Sequence, residues 1–192
     1  MSRMTPIWVL MLCLSASGES FALGGDFTLT APDGSSYSLQ DSRGKVVLLT
    51  FGYTFCPDIC PTTLSAIAAA LKRLTPEEAR RVDALFVSLD PDRDTPERLG
   101  EYTRYFHPQL LGLTGSAEQL HEVAARYHVR YNFVGKGERE HYTLDHSANL
   151  YLIDAEGKLF RILPYGLPTE ALVESLRSAL HLRNRPDRSS AG

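Results

Sequence analysis

Apolar residues along the chain follow two different spacings, and these predict strands and helices in alternation. Two almost continuous apolar runs, 45–51 after its lysine and 84–89, are typical of strands buried on both faces of a sheet. An apolar period of 3.6 residues follows the first run and predicts a helix, and a short strand is expected over 110–113. Three further helices are expected to begin at residues suited to an N-cap, namely Thr75, Thr95 and Ser116.

Two hairpins and a last helix complete the pattern. Strand-like segments 27–30 and 37–39 flank an Asp-Gly turn, and segments 149–153 and 158–163 flank a second turn that ends in glycine. A final helix is expected over roughly 169–182. This order predicts an α/β domain with a thioredoxin-like fold: a mixed central sheet of four strands, flanking helices and an N-terminal β-hairpin extension.

The two ends of the chain differ in composition from the domain between them. Residues 1–22 carry one cation, Arg3, before the apolar run 7–14 and a small-residue ending, which is the pattern of a cleavable signal peptide. We therefore expect export to the periplasm, with an uncleaved N-terminal anchor as the alternative. The polar segment 183–192 is expected to be a disordered tail. The remaining residues, 23–182, are expected to form a single domain.

Charge and cysteine content narrow the classes of function. The 192-residue chain has a formal net charge of −3, and it has no basic stripe and no glycine-rich phosphate loop, so a nucleic-acid partner is not expected. One of its three cysteines, Cys13, lies within the expected signal peptide. Because an exported domain of this size can build a core without disulfides, the remaining pair, Cys56 and Cys60, is expected to be functional rather than structural.

These two cysteines stand where a strand gives way to a helix, with three residues between them. If the helix has begun by Cys56 or just after it, both sulfurs lie on one helical face about a turn apart. The free N–H groups of a helix N-terminus stabilise thiolates. Such a pair can hold a soft metal ion, or it can cycle between dithiol and disulfide.

A histidine is expected beside this pair from topology. The strand 149–153 should run antiparallel to 45–51, which places its beginning next to the end that carries the cysteines. His146 enters that strand. Two thiolates and one imidazole suit Cu(I), and they accept Cu(II) when an oxygen donor joins them. A structural zinc site usually has four protein ligands, and the sequence offers neither a fourth thiol nor a paired histidine.

An aspartate follows the second buried strand and is expected near the same site. The carboxylate of Asp90 could orient His146 or serve as a weak oxygen ligand. Alternatively, Asp90 and Asp94 cap the helix at Thr95 and the turn before it. The sequence leaves both alternatives open.

Three motifs in this order carry a family resemblance. The segments 51–64, with its two cysteines, 88–96, with its Asp-Pro-Asp-Arg-Asp turn, and 145–147, with its Asp-His-Ser, resemble the SCO/SenC proteins. The likeness covers the whole expected mature domain and implies a thioredoxin-like fold. Many relatives carry an N-terminal membrane anchor, whereas this chain has the signal-peptide pattern.

The resemblance also implies a function and a ligand set. It identifies Cys56, Cys60 and His146 as copper ligands in a metallochaperone, not a turnover enzyme, that assists assembly of the copper centre of cytochrome c oxidase subunit II. The implied partners are that subunit, or a related acceptor, and an upstream copper donor. Contact with a membrane is expected only through a partner or an uncleaved N-terminus.

Two redox functions compete with copper transfer. The cysteine pair could be a redox-active disulfide in a thiol–disulfide oxidoreductase that reduces the cysteines of the oxidase copper site. The three intervening residues weigh against general oxidoreductase activity, for which two are usual, although a disulfide can still close. A peroxiredoxin-like peroxidase would need a neighbouring Thr or Ser and an Arg, which neither cysteine clearly shows. Delivery of copper and reduction of thiols use the same atoms, so the sequence does not separate them.

Overall fold

The structure, a computed structural model, describes residues 23–137 and 142–182. The expected signal peptide, 1–22, and the expected tail, 183–192, lie outside the described residues, and both stay predictions. Among the described residues, no helix is both long enough and apolar enough to span a bilayer.

The described chain forms nine strands, five α-helices and one short 3₁₀ helix at Leu39–Ser42. The strands are β1 (Thr28–Thr30), β2 (Ser36–Ser38), β3 (Val46–Gly52), β4 (Val82–Ser88), β5 (Leu110–Leu113), β6 (Tyr131–Val134), β7 (Thr143–His146), β8 (Leu150–Ile153) and β9 (Leu159–Leu163). The helices are α1 (Ile59–Lys72), α2 (Pro76–Arg80), α3 (Pro96–Phe106), α4 (Ala117–Arg126) and α5 (Thr169–Leu182).

A five-stranded mixed sheet in the order β5-β4-β3-β8-β9 forms the centre of the fold. Strand β3 pairs parallel with β4 and antiparallel with β8, as its position in the sequence predicts. All seven residues of β3 are buried, which explains its unbroken apolar run. The expectation of four strands is wrong, because β5 adds a fifth strand parallel to β4. The α3 crossover returns the chain to the same edge of the sheet, and this extends it by one strand.

Each face of the sheet is covered by a separate apolar cluster. Helices α1, α3 and α5 pack on one face, through residues such as Leu64, Leu99 and Leu176. The N-terminal hairpin of β1 and β2 packs on the other face together with α4, through residues such as Leu29 and Tyr127. The thioredoxin-like fold with an N-terminal hairpin extension is therefore confirmed.

A second two-stranded ribbon, β6 paired with β7, was not expected from the sequence. His146 ends β7 and pairs with Tyr131, whereas the sequence placed it at the entry to the strand that is now β8. The alternating burial of β6 and β7 is that of a half-exposed ribbon, and four-residue segments give too short a pattern to recognise. The expected loop over 135–141 lies between these strands, and residues 138–141 are outside the described part of the chain.

Candidate metal centre

The cysteine turn, defined here as residues 53–60, joins the end of β3 to the start of α1. Cys56 lies in the turn, and Cys60 is the second residue of α1. The helix therefore begins after Cys56, at Ile59, and only Cys60 lies within it. The sulfurs nevertheless approach each other, because the backbone N–H of Cys60 points at Cys56 Sγ at 3.5 Å. A Cβ at Gly52 would lie 2.5 Å from Cys60 Sγ, so the strand must carry a glycine where this sulfur packs.

A buried carboxylate ties the cysteine turn to the end of β4. Asp94 accepts hydrogen bonds from the backbone N–H of Thr54 at 3.0 Å and from its hydroxyl at 2.6 Å. The hydroxyl of Ser88 donates a third bond to the same carboxylate at 2.6 Å. Burial raises the pKa of Asp94, and these three hydrogen bonds act in the opposite direction. The turn is thus fixed to the central sheet on two sides.

The imidazole of His146 reaches the cysteines from the β6–β7 ribbon. Its Nε2 lies 3.5 Å from Cys60 Sγ, and its Nδ1 lies 3.1 Å from the carbonyl oxygen of Ser147. A proton on Nδ1, donated to that carbonyl, leaves the Nε2 lone pair directed toward the sulfur. The ring also meets Tyr53 edge-on at a centroid distance of 6.1 Å. The expectation that topology brings His146 to the cysteine pair is confirmed.

The two thiols differ strongly in acidity. A hydrogen bond from the thiol of Cys60 lowers the pKa of Cys56 to about 4, with backbone N–H groups assisting and burial opposing. The same hydrogen bond, followed by burial, raises the pKa of Cys60. Near neutral pH the pair therefore holds one thiolate, at half-buried Cys56, and one proton. A metal ion that binds both sulfurs must displace that proton.

Asp90 contacts the segment before His146 rather than the imidazole itself. Its buried carboxylate accepts a hydrogen bond from the hydroxyl of Tyr142 at 2.6 Å and from Nε of Arg93 at 2.5 Å. The part of the alternative in which the aspartates cap the helix is wrong, because the hydroxyl of Thr95 itself accepts the N-terminal hydrogen bond of α3. The carboxylate of Asp90 does hold the turn before that helix, through its bond to Nε of Arg93. The backbone carbonyl of Asp90 does close the turn before that helix.

Several residues around the site were not identified from the sequence. Arg93 lies within the Asp-Pro-Asp-Arg-Asp turn, so its position after a central strand was a usable signal. Tyr53, next to β3, carried a weaker signal of the same kind. Nothing local singled out Tyr142, because its role depends on the unexpected ribbon.

The donor atoms of Cys56, Cys60 and His146 all lie within 4.8 Å of one another, so the group can hold a metal ion. Both cysteines are free thiols. Two sulfur donors make the set soft, which favours Cu(I) or zinc over magnesium or calcium. Three ligands from the described residues form this group, one fewer than a closed structural zinc site contains.

Comparisons with known proteins show which family of proteins the chain resembles. A family model described as SCO1/SenC matches residues 15–181. The SCO2-like protein of Rickettsia conorii is 37% identical over 163 residues, which are 83% of this chain and 78% of that protein. Several relatives described as mitochondrial are longer, and the chain spans between 54% and 60% of their length.

Solved structures show the same fold. The crystal structure of Arabidopsis thaliana ScoI with copper bound has a TM-score of 0.76 at 35% identity, covering 85% of this chain and 100% of that one. BsSco, described as having a disulfide switch and as a member of the Sco family of cytochrome c oxidase assembly proteins, has a TM-score of 0.65 at 25% identity, covering 84% and 95%. With the match of the family model over most of its length, the chain belongs to the SCO1/SenC family.

Proposed function

We propose that this protein binds copper through Cys56, Cys60 and His146 and delivers it to the copper centre of cytochrome c oxidase subunit II. The observation that carries the proposal is the convergence of two sulfurs and one imidazole nitrogen within 4.8 Å. The copper-bound relative supports the choice of metal. Copper is then the cargo of a metallochaperone rather than a cofactor of a reaction.

The accessibility of the donors suits transfer better than storage. Cys60 is 2% exposed, whereas Cys56 is only half-buried and the residues after it, Pro57 and Asp58, are exposed. An incoming ligand from an acceptor protein therefore meets Cys56 first. With three protein donors, the copper ion retains room for that ligand, so transfer can proceed without first breaking a closed shell.

Thiol–disulfide exchange is the second candidate, and the acidity of Cys56 favours it. The thiolate of Cys56 would attack a disulfide of the acceptor and release one acceptor thiolate. Cys60, after losing its proton, would then attack the sulfur of Cys56 in the mixed disulfide and release the second acceptor thiolate. The acceptor gains two electrons and the Cys56–Cys60 disulfide forms, so a further dithiol must reduce this protein afterwards. BsSco, with its disulfide switch, supports such a step.

We further propose that the protein acts after export, in the periplasm. The signal-like composition of residues 1–22 supports this location, and the acceptor and an upstream copper donor would be met there. A fusion of a periplasm-dependent reporter to residue 182 tests it, because the reporter is active only after export.

Oxidase assembly in cells that carry single substitutions separates the two candidate functions. His146→Ala removes the imidazole and keeps both thiols, and Cys56→Ser removes both copper binding and thiol exchange. The copper-transfer function predicts an assembly defect in both variants. His121→Ala, which changes an exposed histidine on α4, is the matched control. A defect in Cys56→Ser with normal assembly in His146→Ala would reject copper transfer and favour thiol reduction.

A further inference from the structure

The segment that carries His146 is held in place by side chains rather than by the central sheet. Strand β7 pairs with β6 in a ribbon of its own, outside the five-stranded sheet. We call residues 142–146 the histidine arm. Because no ladder of hydrogen bonds joins residues 142–146 to β3, the distance between the imidazole and the sulfurs depends on the packing of buried Leu144 and on a few polar and ring contacts.

Most of these contacts converge on Tyr142, at the start of the arm. Its hydroxyl donates to Asp90 at 2.6 Å, and its backbone carbonyl accepts a bond from Nη1 of Arg93 at 2.9 Å. The guanidinium of Arg93 also stacks over the Tyr142 ring, 3.6 Å from its centroid. Nε of Arg93 donates to Asp90, which closes a ring of contacts among the three residues.

The contacts further along the arm are fewer. The backbone N–H of Leu144 donates to the hydroxyl of Tyr53 at 3.3 Å, and His146 meets the Tyr53 ring edge-on. Tyr53 belongs to the cysteine turn, so these contacts join the arm directly to the turn. They are weaker than the contacts at Tyr142, because one is a long hydrogen bond and the other a ring contact.

Burying the charges of Asp90 and Arg93 costs free energy of desolvation, so the geometry that this cluster fixes explains it better than a gain in stability does. The carboxylate of Asp90 is fully buried and the Arg93 side chain is 17% exposed, so both charges have lost water. A buried ion pair adds little net stability compared with apolar residues of the same volume, although it fixes geometry through its directional bonds. The geometry fixed here is that of the arm, since Arg93 and Asp90 each bond to Tyr142.

We propose that Asp90, Arg93 and Tyr142 are positioning residues for His146, and that this cluster sets the place of the imidazole relative to the cysteine pair. The inference rests on the proposed copper site. It differs from direct orientation of the ring by Asp90, because the aspartate acts on the arm four residues before the imidazole. The cysteine turn has its own anchor at Asp94, so loosening the arm leaves the two thiols where they are.

The most conservative test removes one oxygen atom. Tyr142→Phe deletes the hydroxyl bond to Asp90 and keeps the ring beneath Arg93. Tyr37→Phe is the matched control, since it deletes a hydroxyl bond of 2.6 Å to Ser42 in the N-terminal hairpin. We expect the Cu(I) affinity of Tyr142→Phe to fall about 10-fold, as for other groups that hold a metal ligand in place. The Tyr37→Phe protein should keep the affinity of the unmodified chain.

Two further measurements report on the arm without copper. The amide of Leu144 should exchange its hydrogen faster in metal-free Tyr142→Phe than in the unmodified protein, because the arm leaves Tyr53 more often. The alkylation rate of Cys56 should be unchanged. Arg93→Lys, with Arg177→Lys as the control at the remote ion pair to Glu78, should show the same fall in affinity and the same faster exchange at Leu144. The alkylation of Cys56 is compared only in Tyr142→Phe, because Arg93 also lies over the ring of Phe55 in the cysteine turn.

The outcomes separate this inference from the copper site itself. A fall in affinity for both His146→Ala and Tyr142→Phe, with faster exchange at Leu144, supports the inference. A fall for His146→Ala with unchanged affinity and unchanged Leu144 exchange in Tyr142→Phe overturns it and leaves the copper site standing. Unchanged affinity in His146→Ala overturns the three-ligand site, and with it any role of the cluster in positioning a ligand.

Discussion

The cysteine turn and the histidine arm meet at one site but are held by different means. The turn continues directly from β3, whose seven residues are all buried, and Asp94 binds it to the end of β4. The arm belongs to a separate ribbon and reaches the body of the domain through Tyr142, Tyr53 and the buried side chain of Leu144. The two sulfur donors are therefore held next to the central sheet, whereas the nitrogen donor of His146 lies on a separate ribbon that packs against the domain.

This difference suits a protein that must both hold and release a metal ion. In the proposed transfer of copper, the pair of sulfurs would keep the ion bound to the chain, and the imidazole would be the ligand that leaves at the smallest cost in packing. Elements with few buried contacts open more readily than the core of the same domain. The cysteine turn and the histidine arm should therefore contribute differently to copper binding and to stability.

The largest effect is expected at the buried sulfur. Cys60→Ala should lower Cu(I) affinity at least about 1,000-fold, or ~4 kcal/mol, a fraction of the ~10–16 kcal/mol that thiolate-rich metal sites provide. Competition with a chelator of known copper affinity measures it. Ser65→Ala, a small change at an exposed position of the same helix, is the control. An affinity within a factor of ten of the unmodified protein would show that Cys60 is not a ligand.

His146→Ala should weaken binding less than loss of a sulfur, by about 100-fold, since two thiolates remain. The same competition assay measures this loss, and the reduction potential of the cysteine pair should change little. Equal losses of Cu(I) affinity in His146→Ala and Cys60→Ala would show that the imidazole and the sulfurs contribute equally to binding.

Asp94→Ala tests the anchor of the cysteine turn. The substitution leaves the hydroxyls of Thr54 and Ser88 and one backbone N–H without their buried acceptor, so the free energy of unfolding should fall by about 3 kcal/mol. Urea denaturation measures it. Asp33→Ala removes the acceptor of Ser35 in an exposed turn and should cost less than about 1 kcal/mol. A cost at Asp94 no larger than at Asp33 would mean that the turn is held by other contacts.

The smallest effect is expected when the pH is lowered from 8 to 6. Because the pKa of Cys56 is lowered to about 4, its thiolate fraction and its alkylation rate should stay nearly constant over this range and fall only near pH 4. In Cys60→Ala the main cause of the shift is lost, so the pKa of Cys56 should rise toward 9 and the rate should fall within the same range. A midpoint near pH 9 in the unmodified protein would reject the thiolate.

The sequence predicted the cysteine turn far better than the histidine arm, for physical reasons. Strand β3 has a long, unbroken apolar run and helix α1 a long period of 3.6 residues, and N-cap residues mark the starts of α2, α3 and α4. These signals are local, so they can be recognised without knowing the fold. The sequence left the exact start of α1 open, because the proline-bearing turn does not reveal which residue first adopts helical angles.

The arm depends on contacts between distant parts of the chain. Tyr142 and Asp90 are separated by 52 positions, and their hydrogen bond leaves no periodic trace. Strands β6 and β7 each have four residues, too few for alternation to stand out. The topology of the main sheet was nevertheless enough to place His146 near the sulfurs, because β7 leads directly into β8.

X-ray absorption of the reduced protein loaded with one equivalent of Cu(I) tests the central claim most directly. The proposed three-ligand site predicts two sulfur neighbours and one nitrogen neighbour at the copper, with the nitrogen lost in His146→Ala and kept in His121→Ala. A spectrum with sulfur neighbours alone, identical in the unmodified protein and in His146→Ala, would contradict it.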